Sequence, residues 1–411
     1  MGATEDLFEA IYDSNTTPEQ ITALIEAGAD INAKDSVDYT PVMRAVYSNE
    51  NIEILKTLLK AGADMNAQDD EGMTALMITA GYETLPEQMK VLVEAGADVN
   101  AKNTRGWTAL MMSVHGSWNP VETTKILLEA GADVNARNND NMTVLMLAVL
   151  FNDMSGLPPE PETIRMLINA GADVNARNSY GNTALALAFD DCASEIIRLL
   201  IEAGTNINAN GDGKTLLMCA ANDGDPDNIE LLLNAGVHVN DSDNLGRTAL
   251  MRVLERNGEY HIESLQLLLR AGANIHCQDN DGNNALMYAI KYNGYIEIDV
   301  EMVKILIRSG VDIKHKNNLG ETALMIAVVR RKDPELIATL LRAGADVNAR
   351  DNLLGETVLM FAAKANKNLE IIKLLIDAGA DLDAKDKIGS TVKDYAELNP
   401  NSEVLAFFEA L

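Results

Sequence analysis

The chain has 411 residues, with 62 Asp and Glu against 33 Lys and Arg, a formal net charge of −29. So acidic a chain repels nucleic-acid phosphates and anionic membrane surfaces, and an aromatic content of 4% is low for a site that stacks bases or sugars. No apolar run approaches the roughly 18 residues of a membrane span. The first residues lack the basic and apolar stretches of a signal peptide. Cys192, Cys219 and Cys277 are too few and too scattered for a disulfide framework. A cytoplasmic monomer, in a reducing compartment, is the expectation.

Taken from the N-terminus, the chain repeats itself. Residues 1–34 start with a helix, Glu5 to Tyr12, and lack the turn that opens every later unit, so they form a cap. A Gly-Ala-Asp-Val-Asn-Ala string or a near copy then recurs at intervals of 32 to 40 residues, on Gly28, Gly62, Gly96, Gly131 and onward to Gly379. A second marker, Gly-x-Thr-Ala-Leu-Met, precedes it at Gly72, Gly106, Gly246 and Gly320. Residues 69–102 show what one unit does. Asp69-Asp70-Glu71-Gly72 is a turn, and Thr74 caps a first helix through Ala75, Leu76 and Met77. Pro86 suits the first turn of a second helix, where its missing N–H is harmless. Leu92 and Val93 place apolar side chains inward, and Gly96 ends the helix in a left-handed cap. The same apolar pair recurs at Leu58-Leu59, Leu127-Leu128, Leu232-Leu233 and Leu340-Leu341. One unit cannot bury this face; stacking can.

The period and the two markers resemble the ankyrin repeat family. Met stands for that family's His in most copies, and Ala for its Pro, with only Thr40-Pro41 keeping the proline; the form looks bacterial. The resemblance implies an all-α repeat solenoid, an array of about twelve helix-turn-helix units with short β-turn fingers. The boundaries are 1–34, 35–68, 69–102, 103–137, 138–177, 178–209, 210–242, 243–278, 279–316, 317–350, 351–385 and a C-terminal cap at 386–411, sealed by Phe407 and Phe408. Insertions at 153–161 and 293–299 lengthen two inter-helix loops.

Several stretches imitate chemistry and dissolve into the repeat. Gly213-Lys214-Thr215 is similar to the end of a phosphate loop, but Asn208 stands where its first glycine is needed. Asp279-Asn280-Asp281-Gly282 lacks the ligand spacing and closing Glu of a calcium loop. Cys277 and His315 fall on equivalent positions of adjacent units, with His276 beside Cys277; ordinary variation of the Asn-Ala positions explains them. Asn66, Asn100, Asn135, Asn175 and Asn348 recur in the arm, which predicts side chains bonded to the backbone of the turn. No catalytic constellation appears, so the chain is expected to be no enzyme and to hold no cofactor and no metal.

The family resemblance implies a concave binding surface built from turn tips and first helices. Counting the capping Thr as zero, positions +4, +7 and +8 share one helical face. The two arginines of the +4 column, Arg44 and Arg252, suggest that the column is not fully buried. Early units offer Tyr47, Tyr82, Trp107, His115 and Phe151; late units offer Arg252, Arg256, Tyr288, Tyr292 and Arg330. Aromatic and Arg residues are the types enriched in binding hot spots. These ten are the candidate partner-binding residues of a protein-binding scaffold for an unidentified protein partner, with no nucleic acid and no membrane involved. An acidic inhibitor or immunity-type protein covering a basic site on a target enzyme is the alternative.

Overall fold

The computed structural model describes residues 2–48, 51–81, 86–117, 119–150, 158–191, 194–208, 214–255, 261–291, 300–330 and 333–411. These residues form twenty-four helices, from Ala3–Tyr12 to Ser402–Glu409, and no strand. Two helices fall in each of the twelve segments bounded above. They gather into two compact units, Met1–Gly211 and Asp212–Leu411. Within each unit, first helices pack on first helices, second on second, and the two helices of a repeat on each other.

Local sequence explains each part. In most repeats the threonine before the first helix accepts the backbone N–H three residues on, as Thr108 does from Met111 at 3.4 Å and Thr215 from Met218 at 3.2 Å. Capping removes one unsatisfied donor. The Ala-Leu-Met that follows is core: Leu110, Met111, Met146 and Met287 are all fully buried. In four repeats the methionine that stands for the family's histidine also accepts the threonine N–H through its sulfur, as Met360 does from Thr357 at 3.3 Å. Second helices begin on proline at Pro86, Pro120, Pro161, Pro226 and Pro334. They end in a Schellman arrangement, with Gly96 donating to Val93 O and Ala97 to Leu92 O, both at 3.0 Å. Only the first residue of the apolar pair is core. Leu58, Leu92, Leu127, Leu232 and Leu340 are fully buried, while Leu59, Val93, Leu128, Leu233 and Leu341 are half-buried. The second position lies one helical step away from the face that stacks.

The arm asparagines reach further than their own turn. Asn100 Oδ1 accepts the N–H of Asp133 at 2.7 Å, and its Nδ2 donates to Gly131 O at 3.3 Å. Asn135 does the same to Asp173 and Gly171, and Asn348 to Asp381 and Gly379. Each therefore ties one repeat to the next. The finger tips are joined as well, Thr104 N to Glu71 O at 2.9 Å and Asn139 N to Arg105 O at 3.1 Å. Isolated antiparallel bridges close several finger bases, such as Arg137 with Thr143 and Lys316 with Thr322. At the C-terminal cap Phe408 is buried and Phe407 half-buried, their ring centroids 5.6 Å apart.

Candidate functional site

A cleft of about 750 Å³ opens in the first unit between three successive fingers and the first helices that they lead into. Val37 and Tyr39 come from one finger, Asp69, Asp70, Glu71 and Met73 from the next, and Asn103, Arg105 and Trp107 from the third. Arg44 and Tyr47 project from helix Pro41–Ser48, and Met112 and His115 from helix Ala109–His115. Gly81 and Gly116 lie at the helix ends. A side chain at Gly116 would sit 2.8 Å from Gly81 O, so two neighbouring helices approach here as only glycine allows.

The walls are aromatic. Tyr39 and Tyr47 meet edge to face with ring centroids 6.0 Å apart, and Trp107 tilts against His115 at 5.4 Å. Tyr47 is 52% exposed although its ring is large and apolar. Trp107 and His115 are half-buried. The remaining lining is charged. The Arg44 guanidinium lies 4.7 Å from the Tyr39 centroid and 5.4 Å from that of Tyr12, and bonds Asp35. Burial pushes the Asp35 carboxyl up, but the bond from Arg44 and the N–H groups of Val37 and Tyr39 overcome it and hold Asp35 below the usual carboxylate range. One finger on, Asp69 shifts the other way. Burial raises it, the Met73 and Glu71 N–H groups only partly offset this, and the charges of Asp70 and Glu71 add to the rise. Arg105 reaches Glu71 at 3.9 Å, with both side chains well exposed.

Three of the ten candidate residues thus meet in one cleft: Tyr47, Trp107 and His115. Tyr82, Phe151, Arg256 and Tyr292 lie outside the described residues, as do Trp118 and Gly213. Two candidates are withdrawn from the exposed surface. Arg252 is 8% exposed because it bonds Asp243 at 2.7 Å and Glu255 at 2.9 Å, with Arg247 completing a network of four charges. Tyr288 is 1% exposed and its hydroxyl donates to Asp279 at 2.8 Å. The arginines of the +4 column therefore do not mark exposure; Arg44 has an 11% exposed side chain for the same reason. Arg330 is exposed at the end of helix Ala323–Arg330. Sequence reasoning passes over Tyr39 and Asp69. The available signal for Asp69 is the residue nine positions on, Ile78, which stands where Asp35 has Arg44.

The stretches that imitate chemistry are spent on structure. Asp279 accepts the N–H groups of Asp281 and Asn283, the Asn283 amide and the Tyr288 hydroxyl, so its oxygens are filled by donors. His315 Nε2 lies 2.7 Å from Gly282 O, and burial pushes the Cys277 thiol up, away from the thiolate that a metal needs. Among the described residues no group of three or more His, Cys, Asp or Glu is placed to hold a metal ion, and no helix is long and apolar enough to cross a membrane.

Family models described as ankyrin repeats (3 copies) match residues 7–103, 42–138, 82–178, 138–211, 254–351, 299–386 and 328–408. A second model, ankyrin repeats (many copies), matches residues 217–269. No individual curated protein matches the chain.

Proposed function

The chain belongs to the ankyrin repeat family, whose repeats are generally protein–protein interaction modules, and from that premise we propose a non-enzymatic scaffold that seats a protein partner in the cleft between Tyr39 and Gly116. The observation that carries this reading is the convergence of Tyr39, Tyr47, Trp107 and His115 on one cavity, with a large ring left half exposed at its mouth. Apolar rings held by rigid helices and bonded fingers lose little entropy on binding, which is why such residues dominate interface energetics. Aromatic contact resists salt, so affinity is expected to reside mainly in a slow off-rate.

The test is capture of a partner from source lysate, followed by affinity measurement with single variants. Trp107→Ala or Tyr47→Ala should each weaken binding by about 2 kcal/mol, roughly thirtyfold. Lys125→Ala, on an exposed position of helix Pro120–Glu129, serves as the distant control. Loss at Lys125 without loss at Trp107 places the partner elsewhere.

A further inference from the structure

Four of the six described finger acids follow a pairing rule. Among the described fingers, all but the one at Asp351 open on an Asp or Asn whose Oδ1 accepts two backbone N–H groups of its own turn, and the residue nine positions on sits on the first helix beneath it. Asp35 has Arg44 there, and Asp243 has Arg252. Asp279 and Asp386 have Tyr288 and Tyr395, whose hydroxyls donate at 2.8 Å. Asn103, Asn138, Asn178 and Asn317 have Met112, Leu147, Leu187 and Ile326, which donate nothing. The physics is plain: a neutral amide can lie over an apolar residue, but a carboxylate removed from water needs a donor for its second oxygen.

Asp69 breaks the rule. Its Oδ1 takes the N–H groups of Glu71 at 3.0 Å and Met73 at 2.7 Å, but nine positions on stands Ile78, fully buried and apolar. Asp69 Oδ2 has no donor among the described residues. Asp351 also lacks one, because an added residue in its finger brings Phe361 into the column, but Asp351 is buried, whereas Asp69 lines the cleft. The other charges around Asp69 do not satisfy it. Asp70 and Glu71 repel it, Arg44 is bonded to Asp35, and Arg105 is turned to Glu71.

We infer that Asp69 is the receptor for an arginine side chain of the partner, whose guanidinium takes on this finger the place that Arg44 takes on Asp35. The inference rests on the cleft reading above and adds the chemistry of its occupant. Arginine is chosen over lysine by the walls. A planar guanidinium stacks on rings and forks onto a carboxylate, and Arg44 already does both between Tyr39 and Asp35. Trp107 and Tyr47 offer the rings for the incoming group. Its hydrophobic stem lies along Met73 and Met112, which also line the cleft. Glu71 and Asp70 at the rim steer a basic segment inward.

The test uses the full chain and a blocked peptide, acetyl-Gly-Arg-Gly-amide, with its uncharged citrulline analogue and its lysine analogue. Binding is read from the Trp107 indole N–H signal, assigned against Trp118→Phe. The arginine peptide should shift that signal, and the citrulline peptide should bind about tenfold more weakly or worse, the loss of one charge-assisted pair. Asp69→Asn should produce the same loss. Ile78→Arg should abolish binding while keeping the helical spectrum, because it supplies the guanidinium from within. If that variant does not fold, Ile78→Tyr, patterned on Tyr288, makes the same point. Equal binding of arginine and citrulline peptides, no shift at all, or full binding by Asp69→Asn overturns the inference. If the peptide fails while Trp107→Ala still releases a captured partner, the guanidinium is wrong and the cleft stands. If the peptide binds through Asp69 while Trp107→Ala retains the partner, the receptor stands and the partner's seat is elsewhere.

Discussion

The fingers at Asp243 and at Asp69 are built on the same turn and end in opposite states. Asp243 is 4% exposed at its side chain and carries two guanidiniums, Arg247 at 2.9 Å and Arg252 at 2.7 Å. Burial pushes its carboxyl up, but the backbone N–H groups of Arg247 and Leu245, with the Arg247 side chain, bring it below the usual range. Asp69 has the same two backbone donors and no cation, and its carboxyl rises. The difference teaches that the turn alone does not satisfy its acid; the first helix decides. A repeat whose helix supplies the donor closes on itself. A repeat whose helix supplies isoleucine leaves an acid facing outward, and here it faces an aromatic cleft.

The largest expected effect comes from opening the closed finger. Arg252→Ala leaves Asp243 and Glu255, 4% and 15% exposed at their side chains, with Arg247 alone between them. Removing one partner of so enclosed a network should cost about 3 kcal/mol. A denaturant midpoint for the second unit reads it. Combining Arg252→Leu with Asp243→Asn recreates the Asn138 and Leu147 pairing and should recover most of the loss. A midpoint unchanged by Arg252→Ala removes the pairing rule.

The same contrast explains what the sequence could tell a reader. The repeat is written in local chemistry: Thr caps, Pro starts and Gly stops act within a few residues, so the helices and their period are legible. Leu92 against Val93 is not, because both are apolar and only the stacked neighbour decides which is core. Asn100 reads as a turn residue because its partners, Asp133 and Gly131, lie in the next repeat. Arg252 and Tyr288 read as surface because arginine and tyrosine are usually wet. The compensating acids, Asp243 and Asp279, lie nine residues earlier, a spacing that belongs to no helix period. Tyr47, Trp107 and His115 are legible as one face because they come from helix and finger positions that repeat. The cleft's floor at Gly116 depends on a contact with Gly81 that no single repeat contains.

A smaller effect separates backbone strain from crowding. Gly171 ends helix Pro161–Asn169 at φ +91°, and a Cβ there would meet nothing within 4 Å. Gly171→Ala should therefore cost only the left-handed conformation, about 1 kcal/mol, spread to the repeats on either side because such arrays are stabilised by neighbours. Gly116→Ala should act through contact instead, by pressing on Gly81 O, and should disturb the Trp107 signal, which Gly171→Ala should leave alone. A thermal scan and that signal, recorded for both variants, tell the two apart. Equal disturbance of Trp107 by both removes the distinction.

The smallest effect is one of sign, and it tests the two fingers of the first unit directly. Asp35 has its folded pKa lowered, so its stabilising contribution is present above the ordinary carboxylate value and is lost as pH falls through the lowered one. Asp69 has its folded pKa raised. The folded chain then holds that proton more tightly than the unfolded chain does. No penalty exists in acid, where both states are protonated, and the penalty grows as pH rises through the raised value. Asp35→Asn should accordingly lower the first unit's denaturation midpoint at pH 7, with the difference from the parent shrinking as pH falls below the usual carboxylate range. Asp69→Asn should raise the midpoint at pH 7, since an amide can still accept the Glu71 and Met73 N–H groups as Asn103 accepts those of Arg105 and Trp107, and this gain should also vanish in acid. Arg44 is bonded to Asp35 and Arg105 reaches toward Glu71 at 3.9 Å, so neither reverses the sign. Adding the arginine peptide should erase the pH 7 difference between the parent and Asp69→Asn, because the ligand supplies the donor that the helix lacks. If Asp69→Asn lowers the midpoint at pH 7, the finger is already satisfied and the contrast with Asp243 collapses.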